Sequence, residues 1–188
     1  MPQKSSQPFL IIPAILVNLQ SLGKVMKLTL VCIGKTDFPF VEEGMGIYEA
    51  RLRHYCKFSC VYIPALRGVS SLTHQQIKEK EGELILKELG VQPGKRSGKR
   101  HIVLLDERGS GFTSVEWASA LERQIASDKD IFFVIGGAYG FSQAVYQAAD
   151  SMLSLSKMTF SHQIVRLIFM EQLYRAFTII KGEPYHHQ

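Results

Sequence analysis

Hydrophobic and polar positions alternate along most of this chain in a regular way. Leu28 to Gly34 (LTLVCIG) is a short apolar run rich in branched residues and closed by glycine, the pattern of a buried strand. From Phe40 to Tyr55 the period changes. Val41, Met45, Tyr48, Leu52 and Tyr55 recur at helical spacing, while Arg51, Arg53 and His54 lie off that stripe and give the helix a basic end. Ser59 to Ile63 reads as a second strand closed by Pro64, and Thr73 to Leu89 as a polar helix. With Glu79, Glu81, Glu83 and several lysines, this helix is expected on the surface. Glycines and a proline between Gly90 and Arg100 mark a loop.

Beyond the loop, strands and helices follow in strict succession. His101 to Asp106 (HIVLLD) is a strand, Glu107 to Gly111 a glycine-rich turn, and Thr113 with Glu116 a capping box that starts a helix. Asp130 to Ile135 (DIFFVI) has no polar alternation, so it belongs at the covered centre of a sheet. Gly136 to Gly140 (GGAYG) leads to a helix capped by Ser142, and Ser151 to Leu155 is another short strand. The last helix, from about Ser161 to Lys181, carries apolar residues on its whole circumference, from Ile164, Val165, Leu167 and Ile168 to Ile179 and Ile180. Such a helix calls for cover on several sides, by its own domain and by a second subunit. Strand and helix repeated five times predict an α/β domain with a mostly parallel sheet and helices on both faces.

Residues 1–25 do not fit this pattern. Phe9 to Leu19 is nearly all apolar but holds Pro13 and Asn18 and is too short to span a bilayer. Ser21-Leu22-Gly23 makes a poor signal-peptidase site. The segment is read as an amino-terminal extension to a domain of residues 26–188, in preference to a signal peptide.

Composition narrows the picture further. A net charge of +5 permits a polyanionic partner without demonstrating one. The three cysteines, Cys32, Cys56 and Cys60, argue against a secreted disulfide scaffold and suit a reducing cytoplasm. No second Cys/His pair stands at zinc-site spacing, so no metal is expected.

Ligands in open α/β sheets bind beyond the carboxyl ends of strands, and three ends stand out: Leu104-Leu105-Asp106, Ile135-Gly136-Gly137 and Leu155-Ser156-Lys157-Met158. Glycines there let main-chain N–H groups approach a nucleotide-like ligand. GGAYG is not GxGxxG and has no acidic residue at the distance a dinucleotide ribose requires, and no Walker lysine is present.

The segments FVIGGAYGFS, LSLSKMTFSHQIVRLIFMEQLYRAF and GEPYHH, in that order, resemble the ribosomal RNA pseudouridine-N3 methyltransferases of the SPOUT superfamily; MKLTLVCIGK matches that family's usual start. The resemblance covers residues 26–188. It implies a carboxyl-terminal deep trefoil knot, which periodicity alone cannot show. It also implies a homodimer and S-adenosylmethionine held by Leu105, Gly137, Ser156, Lys157, Met158, Thr159, Phe160 and Ser161. For RNA-side or catalytic work it points to Arg175, Tyr185 and His186. Spacing alone reads Arg175 as the partner of Glu171 in a helix-surface ion pair. His162 is read as a structural hydrogen-bonding neighbour of the cofactor loop, and His187 and Gln188 as a frayed end. Arg51, Arg53, Lys57, Lys95, Arg96, Lys99 and Arg100 are expected to meet phosphates of large-subunit ribosomal RNA, on the assembled ribosome. Two further readings stay open: a SPOUT enzyme acting on tRNA or another rRNA nucleotide, and a non-catalytic ribosome assembly factor.

Overall fold

The structure, a computed structural model, describes residues 27–186. The expectations for residues 1–25, His187 and Gln188 lie outside that range.

The elements in chain order are β1 (Lys27–Ile33), α1 (Pro39–Leu52), β2 (Lys57–Ile63), a 3-10 turn (Val69–Ser71), α2 (His74–Leu89), β3 (Arg100–Gly111), α3 (Ser114–Ile125), β4 (Asp130–Ile135), α4 (Gln143–Ala148), β5 (Ser151–Ser154) and α5 (Ile164–Lys181). The five strands form one sheet in the order β2-β1-β4-β3-β5, and every pairing is parallel. The unalternating DIFFVI strand lies at the centre, because a central parallel strand is covered on both faces.

Side-chain alternation sorts the core into two clusters. Leu28, Leu30, Cys32, Ile131 and Phe133 face a layer that includes Val41 and Met45 of α1, Leu121 of α3 and Phe169, Leu173 and Phe177 of α5. Val31, Ile33, Phe132 and Val134 face Ile85 and Leu89 of α2 and Val145 of α4. Helices thus cover both faces, as the pattern predicts.

Local rules account for several boundaries. Thr113 and Glu116 form the expected capping box, and Thr73 and Gln76 form another at the start of α2. Ser142 stands at the N-cap of α4, as expected, but makes no side-chain capping bond. α5 begins at Ile164 rather than Ser161, because residues 161–163 are used as a turn stapled to the loop after β1. There the Gln163 amide donates to the Lys35 carbonyl (3.1 Å) and to Asp37 Oδ2 (2.9 Å), and accepts from the Asp37 N–H (3.1 Å).

Two expectations are corrected. The turn over residues 107–111 belongs to β3, which slips register between Leu105 and Ser110 and then rejoins β5 through Ser110–Leu153 and Gly111–Ser154. Gly109 permits this, since a Cβ there would stand 2.7 Å from backbone atoms of Met152 and Leu153. The helix expected on the surface, α2, buries Ile77, Glu81, Gly82, Ile85, Leu86 and Leu89. Its charge pattern is that of an outer face, but Glu81 lies on the inner one.

Arg166, wholly buried, locks α5 to the sheet. Its Nη2 donates to the Ile33 carbonyl (2.7 Å), Nη1 to Thr36 Oγ1 (3.1 Å) and Nε to the His162 carbonyl (3.0 Å). One guanidinium therefore fixes the end of β1, the loop after it and the turn that enters α5.

Candidate active site

The carboxyl ends of β3, β4 and β5 meet at a cavity of about 530 Å³, within the range that holds a small-molecule cofactor. Main chain forms much of its wall. The Gly136–Gly140 loop after β4 supplies one side, with a bridge between Gly137 and Gly140. Ser154 to Ser156 and Met158 to Phe160 supply the other, while Leu105 and the register slip of β3 form the rim. In that segment Ser156 Oγ accepts from the Met158 N–H (2.9 Å), and Ser154 Oγ donates to the Ser156 carbonyl (2.9 Å). Each loop follows its strand directly, so the sheet fixes their spacing.

Of the residues that the resemblance assigns to the cofactor, Leu105, Gly137, Ser156, Met158, Thr159 and Phe160 line this cavity. Lys157 and Ser161 do not; both are exposed, and the Ser161 hydroxyl accepts from the Gln163 N–H (3.2 Å). His162 lines the cavity, and its carbonyl accepts from Arg166 Nε (3.0 Å).

Arg175, Tyr185 and His186 are absent from the lining. Arg175 and Tyr185 instead cluster at the end of α5. Arg175 pairs with Glu171, and its guanidinium carbon stands 4.8 Å from the Tyr185 ring centre. The Tyr185 hydroxyl donates to Glu171 (3.2 Å) and lies 3.5 Å from that of Tyr48. Burial, and then this hydroxyl and carboxylate contact, push the Tyr185 phenol up. His186 is half-buried, with no hydrogen-bond partner for its Nε2 among the described residues. The ion pair expected from spacing is thus present, and it sits inside an aromatic cluster with Tyr48, Tyr174 and Arg51.

Three features were not foreseen from the sequence, two of them at the cavity. At the rim, Asp106 accepts from the Tyr146 hydroxyl (2.5 Å) and from Arg108 Nε (3.1 Å), and Arg108 also reaches the Tyr146 hydroxyl. Burial alone would raise the Asp106 carboxyl, but the hydrogen bonds from Arg108 and Tyr146 outweigh it and hold the group below its ordinary value. Burial and the bond to Asp106 push the Tyr146 phenol up to about 12. The second is Glu81, 8% exposed, whose Oε2 is buried without a hydrogen-bond partner among the described residues. It stands directly behind Gly137, where a Cβ would lie 2.4 Å from that oxygen. Burial raises its carboxyl. The third is Arg166, described above. A strand-end aspartate was the one legible signal among these; nothing in the sequence marks Tyr146 or Glu81 as its neighbours.

The expected RNA-facing cations are spread out. Arg53 is paired with Glu49, Arg100 lies over the Phe132 ring, and Lys57, Lys95, Arg96 and Lys99 are exposed. Burial pushes the thiols of Cys32, Cys56 and Cys60 up to about 12, so they stay protonated at neutral pH. Among the described residues no group of three His, Cys, Asp or Glu could hold a metal, and no helix is long and apolar enough to cross a membrane.

Residues 26–186 match the model of a family described as predicted SPOUT methyltransferase. A ribosomal RNA large subunit methyltransferase H from Parabacteroides distasonis is 52% identical over 164 residues, which is 87% of this chain and 100% of the relative. Proteins of the same name from Christiangramia forsetii and Flavobacterium johnsoniae align with equal coverage at 52% and 48% identity.

Proposed function

The chain belongs to the SPOUT methyltransferase family, and from that premise we propose that it methylates N3 of a pseudouridine in large-subunit ribosomal RNA, with S-adenosylmethionine as donor. The observation that carries the reading is the cavity at the carboxyl ends of β3, β4 and β5, two of whose walls come from the FVIGGAYGFS and LSLSKMTFS segments that carry the likeness to rRNA methyltransferases. The names of the relatives support rRNA as substrate.

The cavity suits this cofactor. Its volume is adequate, its glycine loop offers main-chain donors and acceptors for an adenine edge, and Leu155, Met158 and Phe160 offer apolar contact. Asp106 and Glu107 place carboxylates where a cationic ligand is favoured. When bound, the cofactor supplies an electrophilic methyl group with its leaving group already activated. The protein's part is to hold the acceptor in line and to manage the imide proton. Arg175 would favour the imide anion, Tyr185 would stack on a base and His186 would accept the proton.

In one chain these residues do not line the cavity. We take the enzyme to be a homodimer in which a second copy brings its cluster to the rim. The partial exposure of Ile164, Val165, Leu167, Ile168, Ile179 and Ile180 on α5 supports this. The proposed domain is residues 26–188, with the trefoil knot of the superfamily, acting on ribosomes in the cytoplasm.

Transfer of label from S-adenosylmethionine to unmodified large subunits, with and without the target pseudouridine, tests the reading. Label at N3 that disappears with the pseudouridine is the expected result. Cofactor binding without label would redirect the enzyme to other RNAs, and the absence of both would end the enzyme reading.

A further inference from the structure

A second cavity of about 360 Å³ opens beside the first, lined by Arg96, Arg108, Gln143, Tyr146, Asp150 and Met152 among others. Arg108 and Tyr146 line both cavities and so form the partition between them. We infer that this second cavity is a phosphodiester subsite, which grips the RNA backbone next to the nucleotide presented to the methyl donor. The inference rests on the reading of the chain as an rRNA methyltransferase.

The chemistry of the lining selects a phosphate. It contains two guanidinium groups and a single carboxylate, Asp150, whose Oδ2 is engaged by the Ile102 N–H (2.9 Å). Guanidinium forks match phosphate oxygens in geometry and charge. Arg108 is also set in place in advance. Asp106 holds its Nε (3.1 Å) and Nη2 (3.4 Å), and Tyr146 lies under the guanidinium with ring centre and carbon 4.6 Å apart. Yet its side chain remains 64% exposed, and its Nη1 makes no hydrogen bond with any described residue. Arg96 makes no hydrogen bond or ion pair with any described residue. A fixed donor on the partition and an uncommitted one across from it leave room for an anion between them.

The placement also suits a strand. A base that reaches the first cavity must be followed by backbone crossing its rim, and the partition is part of that rim. Phosphate contacts of this kind set register while the base pocket sets chemistry.

Binding of unmodified large ribosomal subunits to the full chain, measured across a salt series, tests the subsite. Arg96→Ala and Arg108→Ala are each expected to weaken RNA binding about 3- to 30-fold and to reduce the slope of log affinity against log salt by about 0.7 to 0.9. Arg96→Lys should restore the slope, and Arg96→Ala should leave the Kd for S-adenosylmethionine within about twofold. Wild-type slopes in both alanine variants would overturn the subsite while leaving the methyltransferase reading intact. So would loss of cofactor affinity in Arg108→Ala with an unchanged RNA slope, which would assign the guanidinium to the cofactor's carboxylate. A melting-temperature rise with inorganic phosphate that Arg96→Ala abolishes would assign the cleft to free phosphate and overturn it too. If wild-type protein neither binds nor methylates the subunits, the reading beneath the subsite has failed and the subsite falls with it.

Discussion

Gly137→Ala isolates the contact between the Gly136–Gly140 loop and the helix behind it. Gly137 is not among the glycines with positive φ, so its backbone accepts alanine; what stands in the way is the Glu81 carboxyl. The added Cβ would lie 2.4, 2.7 and 2.8 Å from Oε2, Oε1 and Cδ of Glu81. Ordinary contact between such atoms needs about 3.5 Å, so one side must retreat by roughly 1 Å. Glu81 is buried on α2, and overpacking of this kind costs about 1–3 kcal/mol. If the loop yields, cofactor affinity falls by about 5- to 150-fold, at 1.4 kcal/mol per decade. If α2 yields, affinity survives and the melting temperature drops by roughly 2–12 °C. Titration calorimetry with S-adenosylmethionine, alongside thermal melting without it, separates the two. We expect the loop to yield, because α2 is held by Ile77, Ile85, Leu86 and Leu89 in the core, whereas Ala138 and Tyr139 are exposed.

The second half of the cycle tests the cause. Glu81→Ala removes the atoms in the way, so Glu81→Ala/Gly137→Ala should bind the cofactor within about threefold of Glu81→Ala alone. Wild-type affinity and melting in Gly137→Ala would refute the contact. A double variant as defective as Gly137→Ala would refute the role of Glu81.

Other consequences are independent of this one. Glu81 has a folded-state carboxyl raised by burial, so the stability it contributes is present below its unfolded value of about 4.3 and is lost as pH rises through the folded value; Glu81→Gln should therefore melt increasingly above wild type from pH 4 to 8, and a constant difference would contradict this. Arg166→Met leaves the Ile33 and His162 carbonyls and the Thr36 hydroxyl without their buried donor, and should cost about 3–5 kcal/mol in urea unfolding; less than about 1 kcal/mol would show that water replaces it. Arg175→Ala, outside the cavity, should lower methyl transfer about 100-fold with cofactor affinity unchanged, and a parallel loss of affinity would make its role structural.

The fold was legible because each strand carries a short apolar stretch and several boundaries carry local chemistry. DIFFVI declares a central strand by lacking alternation, and Thr113 with Glu116 declares a helix start. Half-legible was β3, where glycines read as a turn. They are a register slip, and only the backbone of β5 packed against Gly109 shows why glycine is needed there. The site divides the same way. Strand-end glycines located the cavity, because main-chain approach to a ligand follows from sheet geometry. Glu81 was misread because periodicity weighs a carboxylate as solvent-facing, and its burial depends on a loop more than fifty residues away in sequence.

These misreadings share a physical source. Asp106, Arg108 and Tyr146 form one network only because the slip in β3 turns the first two towards α4, and no local pattern encodes that turn. Arg166 looks like any helical arginine until β1, the loop after it and the turn before α5 converge on its guanidinium. Buried polar groups are costly, so each must find partners that the packed fold brings together. Among the described residues Glu81 Oε2 is one of four buried side-chain atoms left unpaired, and it lies against the glycine loop of the strand-end cavity. The rim network and Glu81 therefore bear on the cavity from two sides, one fixing an arginine at its edge and the other shaping the loop within it.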